Sequence, residues 1–311
     1  VGVCSLYANT TADNNTAVGY NSLCANTTGN CNTAVGYHSL KSQTSGGNRN
    51  TAVGHQAFEN NTTADFGTAV GTLALNSNTS GSNNVGIGAC SLEANTTGEK
   101  NVGVGLNALG GNTSASNNVA VGSNASRCNT TGTQNVALGT CALFTNTEAH
   151  NNVAVGFCSL KSSTTGTLNV AMGSFTLEDN TSGGCNVALG YRALCDNTEG
   201  TSSVAVGCGA LTANTTGEKN VGVGMHALAL NTTGDSNTAL GLSALCCMTS
   251  GSTNTGIGQS AGRDISTGAN NSTLGKAAGL NVTTGDNNLL LGVDSGRTGS
   301  PGGAITTADN I

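Results

Sequence analysis

Residues 118–122 read Asn-Val-Ala-Val-Gly, and residues 152–156 read the same five in the same order. Such a segment reads as a short strand ending in a bend. Its side chains alternate between two faces, and the closing glycine opens backbone conformations denied to residues with a Cβ. What decides the fold is how often the segment returns. With Gly19 as a marker, the same phase falls on Gly2, Gly36, Gly54, Gly71, Gly88, Gly105, Gly122 and onward to Gly292. Every step is 17 residues except the 18 from Gly36 to Gly54. The extra residue lies between Gln43 and Asn50, where Gly46-Gly47 suits a turn that absorbs an insertion.

The flanking phases are nearly as regular. An aliphatic residue or Met precedes every marker, and two before it stands Ala or Gly in 15 of 17 cases. Three before it is Val or Thr, and four before it Asn, each in 15 of 17. Downstream come two variable positions, a small residue, then Leu or Phe in 14 of 18. An Asn-Thr-Thr-Gly-like turn closes the unit, as at Asn26–Gly29 and Asn214–Gly217. Seventeen residues are too few for the usual helical repeat. They accommodate two short strands, the second around Ala-Leu, and two corners. The expected fold is all-β: a parallel β-solenoid of about 18 coils, each burying its neighbour's apolar side chains because none can do so alone. The two Val are expected to face inward with Leu, and the upstream Asn to stack into a side-chain amide ladder.

Composition agrees. There are 47 Gly, 1 Pro, no Trp and only 8% charged residues, well below the roughly 25% of an average domain. The net charge of -6 is scattered, with no basic stripe to meet a phosphate backbone, so nucleic acid is not an expected partner. No apolar run is long enough for a membrane-spanning helix. Val1 falls in mid-repeat, which reads as a segment of a longer product. Residues 1–258 form the regular array. Residues 259–311 read as variant coils, a cap or a junction to another module, because Gly262, Gly279 and Gly296 replace Leu while Ile265 and Val282 enter the turn.

The strand-plus-glycine motif of 118–122 and 152–156 resembles the head repeat of YadA-like trimeric autotransporter adhesins, and equally the arrays of phage and other viral tail fibres. The resemblance spans essentially the whole chain. It implies a left-handed parallel β-roll, homotrimeric association and surface attachment. This sequence departs from the adhesin pattern in its longer coil, widened by the Asn-Thr-Thr-Gly turn.

The small-residue column two before the marker is expected to point away from the core. It comprises Ala17, Ala34, Ala52, Ala69, Ala120, Ala137, Ala154, Ala171, Ala188, Ala205 and Ala239. A long exposed apolar strip marks a partner surface, so this one is expected to mediate self-association. Three disulfides are candidates: Cys141 with Cys158 on adjacent coils, Cys24 with Cys31 across one turn, and Cys185 with Cys195 on a diagonal; the alternative is that Cys fills small half-buried slots. Disulfides would place the chain in an oxidising compartment. Ten turns contain the Asn-x-Ser/Thr pattern of glycan acceptors, at Asn9, Asn26, Asn61, Asn78, Asn95, Asn112, Asn129, Asn180, Asn214 and Asn231. The alternative there is that Asn-Thr-Thr-Gly is simply good turn chemistry.

No catalytic set emerges. Gly86-Ile-Gly88 and its equivalents lack the third glycine, helix and acidic residue of a dinucleotide site. His38, His55, His150 and His226 have no partner at a recurring spacing, and the 16 carboxylates share no phase. Neither metal, cofactor nor catalysis is expected. The function expected is the structural shaft of a self-associating, adhesive fibre on an extracellular, cell or virion surface. Its partners would be copies of itself, as homotrimer or end-to-end filament, and host-surface or matrix glycans. Thr306–Asn310 repeats Thr10–Asn14, as if the array continued. An ice-binding solenoid is the rival from another class.

Overall fold

The computed structural model describes residues 1–296, so the Thr306–Asn310 continuation lies outside the described residues. These fold as a parallel β-solenoid with one three-residue strand per 17-residue coil, 17 strands in all, and no helix. The chain divides into two compact units, Val1–Asn152 and the part from Val153. The first holds β1 (Thr16–Val18) to β8 (Val136–Leu138) and the second β9 (Val153–Val155) to β17 (Leu289–Leu291). Within each unit, strands pair in parallel with like phases opposite: Val119 faces Val136 in the first, Val187 faces Val204 in the second. The 18-residue coil keeps this register, with Thr33 opposite Thr51. The insertion is therefore absorbed entirely in the turn.

Each coil has one strand, not the two expected. The Ala-Leu segment is a chain of tight turns stacked from coil to coil. Leu92 N–H donates to Ala108 O at 3.0 Å and Ala94 N–H to Gly110 O at 3.1 Å. Within the turn, Ala108 N–H donates back to Gly105 O at 3.3 Å. The geometry demands left-handed backbone at two of its residues, such as Asn107 (φ 55°) and Leu109 (φ 52°). For a residue with a Cβ this costs roughly 1–2 kcal/mol. Leu109 and most of its equivalents are wholly buried, and burying a Leu contributes about 1.5–3 kcal/mol, so the two terms roughly offset.

The strand faces opposite to expectation. Ala120 is fully buried while Val121 remains 39% exposed, and the pattern intermediate–buried–intermediate or exposed recurs along the array. Ala17, Ala34, Ala52, Ala69, Ala120, Ala137, Ala154, Ala171, Ala188, Ala205 and Ala239 are all buried. They form the core, not an outer association strip. The reason is coil width. Leu crosses the interior from the stacked-turn side and leaves room opposite it for only a methyl or a hydrogen. Gly86 and Gly103 show the limit: a Cβ at Gly86 would sit 3.2 Å from Ser91 O and 3.3 Å from Leu75 Cγ, and one at Gly103 2.6 Å from Ser91 Oγ and 3.4 Å from Leu92 Cγ.

The marker glycine is required twice over. Gly105 has φ of +131°, and a Cβ there would lie 2.6 Å from the carbonyl oxygen of Gly122 on the next coil. A side chain would therefore strain its own backbone and separate the coils. Toward the C-terminus the interior is filled differently, from Met248 onward. The turn Asn gives way to Met248, Ile265 and Val282, all buried. Opposite them Leu yields to Gly262 and Gly279, and Ala yields to Thr273 and Leu290. A Cβ on Gly262 would meet Leu245 Cδ2 at 2.6 Å and Ile265 Cδ1 at 2.9 Å. Apolar volume has moved across the coil rather than been lost.

Candidate functional site

Two Asn columns run through the interior. The upstream column forms the amide-to-amide ladder expected of it in the second unit from Asn220 to Asn288, where each Nδ2 donates to the preceding Oδ1 at 2.8–3.2 Å. Along the column the side chains also grip the backbone of the next coil. Asn101 Oδ1 accepts from Asn118 N–H at 3.0 Å, and Asn101 Nδ2 donates to Ala115 O at 2.8 Å. In the second unit Asn237 accepts from Asn254 N–H at 2.9 Å and donates to Gly251 O at 2.8 Å. Ser203 replaces Asn and retains only the acceptor half, taking Asn220 N–H at 3.2 Å.

A second amide ladder is built by the turn Asn. Asn112 Nδ2 donates to Asn95 Oδ1 at 2.7 Å and to Ala115 O at 3.0 Å, while its own Oδ1 accepts from Asn129 at 2.9 Å. Asn197, Asn214 and Asn231 continue the pattern in the second unit at 2.7–2.9 Å. This corrects the glycan expectation. Asn26, Asn61, Asn78, Asn95, Asn112, Asn129, Asn180, Asn214 and Asn231 are 0% exposed, and an amide nitrogen locked inward cannot carry a sugar. Asn9, in the first coil, is exposed. The ladder also explains an oddity of the 18-residue coil. Gln43 takes the Asn position, and its extra methylene spans the longer loop, donating to Gly47 O at 2.6 Å and accepting from Asn61 at 3.1 Å. Where Met248 ends the ladder, Asn231 Oδ1 is left buried without a hydrogen-bond partner.

All twelve cysteines carry free thiols, so the expected links Cys141–Cys158, Cys24–Cys31 and Cys185–Cys195 are not formed. Cys158 and Cys195 are buried, Cys24 and Cys141 partly so, and Cys31 and Cys185 exposed. Burial, reinforced by Asp196, pushes the Cys195 thiol up to about 12. Burial likewise raises Cys246, with Cys247 adding to it.

The outward strand residues form two parallel columns. Val, Ile, Leu or Met stands immediately before each marker, and Thr, Val, Ser or Leu three before it; none of these positions carries a charge. Val18, Ile87 and Val121 in the first unit, and Met172, Leu240 and Leu274 in the second, are between a third and a half exposed. Each unit thus presents an uncharged, mostly aliphatic sheet face to solvent. On the turn edge, threonine hydroxyls are committed internally: Thr96 donates to Thr113 O at 3.0 Å and Thr215 to Thr232 O at 3.0 Å.

Two of the four His, read as isolated in sequence, are brought together. Tyr37 stacks on Tyr20 (5.5 Å between centroids), His38 (3.8 Å) and His55 (5.1 Å). Beside them Glu59 accepts from Gln56 at 2.7 Å and lies 3.1 Å from His38 Nδ1 and 3.4 Å from Lys41 Nζ. Tyr20, Tyr37 and His55 each follow the marker glycine directly, a register the repeat phase could have revealed, and His38 adjoins Tyr37 in sequence. The rings cover one another's faces, and the cluster braces a corner. Among the described residues no three His, Cys, Asp or Glu are placed to hold a metal ion, and no helix is long and apolar enough to cross a membrane.

No known protein family matches the chain, and no curated protein matches it in sequence.

Proposed function

We propose that this chain is the structural shaft of a self-associating fibre on an extracellular or virion surface, with an adhesive role, and that its partner is a second copy of itself. The observation that carries this reading is the outward aliphatic face. An uncharged double column repeated every coil is costly to leave in water, since exposed apolar area is disfavoured by about 25 cal/mol per Å². Its partner must offer the same periodicity, and another copy of the chain does so at every coil. The resemblance to fibre and adhesin repeats supports the same reading. Sedimentation equilibrium tests it. The full chain is expected as a trimer or larger assembly, and Val121→Asp with Val206→Asp is expected to shift it toward monomer without loss of β-structure. A folded wild-type monomer at tens of micromolar, a range in which specific interfaces of standard size associate, would refute it.

A second reading is favoured by one observation. Thr16, Thr33, Thr51 and Thr68, expected to point inward, stand in register on the outer face. A regular hydroxyl and methyl array is what an ice-binding surface needs. Thermal hysteresis of the purified chain tests this, and its absence removes the reading.

A further inference from the structure

The fifth position after each marker forms a column along the corner beside the Leu turns. Where opposite charges occupy it on consecutive coils they pair directly: Lys41 with Glu59 and Lys161 with Glu178, each at 3.4 Å. One stretch breaks this rule. Glu93, Gly110 and Arg127 follow one another, so an acid and a base are separated by one empty coil. Gly110 is the one glycine at this position among the described residues, and its backbone does not lie in the left-handed region that favours glycine. A Cβ there would find its nearest atom at 3.2 Å. Gly110 lies in an open notch of about 480 Å³ lined by Glu93, Asn107, Gly110, Gly111, Arg127 and Cys128. Among the described residues, neither Glu93 nor Arg127 joins an ion pair. Arg127 rests instead against the ring of Phe144 on the far side, 5.9 Å from its centroid.

We propose that this notch binds a small amino-acid zwitterion, with its ammonium on Glu93 and its carboxylate on Arg127. Two coils separate the backbones of the charged residues by roughly 9.6 Å at about 4.8 Å each, and the two charges face one another across that span once Arg127 turns from Phe144 toward Glu93. Charge-assisted contacts of about 2.8 Å at each end leave about 4 Å between the ligand's own charges. That span fits an amino acid with two or three methylenes between its ionic groups. A ligand bearing one charge would leave the opposing side chain unpaired, so the notch selects for both.

Saturation-transfer difference NMR on the full chain, with 4-aminobutanoate as the probe, tests this. Binding is expected with Kd on the order of millimolar, as befits two exposed ionic contacts. Butylamine and butanoate are expected to bind at least about tenfold weaker, as are 4-aminobutanoate to Glu93→Gln and to Arg127→Gln. Gly110→Leu fills the notch with a side chain of a kind other coils carry there, and should abolish the signal while the circular dichroism is unchanged. No transfer to 4-aminobutanoate, equal transfer to the singly charged analogues, or undiminished binding by Gly110→Leu would each overturn the proposal.

Discussion

The coil containing Phe58 and Gly67 departs from the repeat at two places at once, and the structure makes them one event. Phe58 stands where other coils have Leu, and Gly67 where they have the upstream Asn. A Cβ on Gly67 would lie 2.2 Å from Phe58 Cε1, so the ring occupies the volume of the missing amide. Gly67→Asn alone must therefore displace a fully buried phenyl, an overpacking cost of about 1–3 kcal/mol or more. Phe58→Leu alone leaves unfilled space where the ring tip had been, at about 1–3 kcal/mol in lost burial and cavity. Together they rebuild a standard coil, in which the amide introduced at position 67 would grip the following coil as Asn101 does. The double variant is expected within about 1 kcal/mol of the parent, a coupling of roughly 2–5 kcal/mol in a double-mutant cycle. Repeat arrays unfold in segments. The assay is therefore amide hydrogen exchange at Thr51–Val53 and Thr68–Val70, read beside the thermal midpoint. Additive effects of the two substitutions would refute the claim that ring and glycine compensate one another.

Three further outcomes follow from the amide columns and the thiols. Ser203→Asn should stabilise the second unit by about 1 kcal/mol, because a restored Nδ2 can donate to Gly217 O as Asn186 donates to Gly200 O at 2.8 Å; an unchanged midpoint would count against it. Asn112→Asp places a carboxyl in the buried ladder, where desolvation raises its folded-state pKa above the unfolded value. The contribution of the protonated form is then present in acid and lost as pH rises through the folded pKa, so the variant's melting temperature should fall from acid to neutral pH more than the parent's. At pH 8 a thiol with pKa of about 12 is ionised in about one molecule in ten thousand. Cys195 should accordingly stay unlabelled by a thiol reagent that modifies the exposed Cys31 and Cys185, as followed by peptide mass.

The fold was legible because glycine and Asn recur at fixed phases that no other architecture requires. The direction in which the strand faces was not. Alternation in Val-Ala-Val defines two faces without saying which is inside, and apolarity favoured the Val. Size carried the better signal. The position of Ala120 holds only Ala or Gly until Thr273, whereas that of Val121 also accepts Ile, Leu and Met; narrow tolerance of volume marks the packed side. The turn Asn were misread for a similar reason. Asn-Thr-Thr-Gly is good turn chemistry anywhere, but Met248, Ile265 and Val282 occupy the same phase, and an exposed turn would not select those residues. The Glu93–Arg127 notch lay hidden because it is visible only once the coils are stacked.

The turn ladder has a direction. In both units the later coil supplies the Nδ2 hydrogen and the earlier coil the Oδ1, as Asn112 does to Asn95 and Asn214 to Asn197. A chain leaving the ribosome N-terminus first therefore lays down acceptors before the donors that will cap them. Each finished coil waits with oxygens that water can satisfy, and the next coil arrives carrying what they lack. Synthesis and stacking then proceed in the same order, and the growing tip of the nascent chain is at every stage a template for the coil still to come.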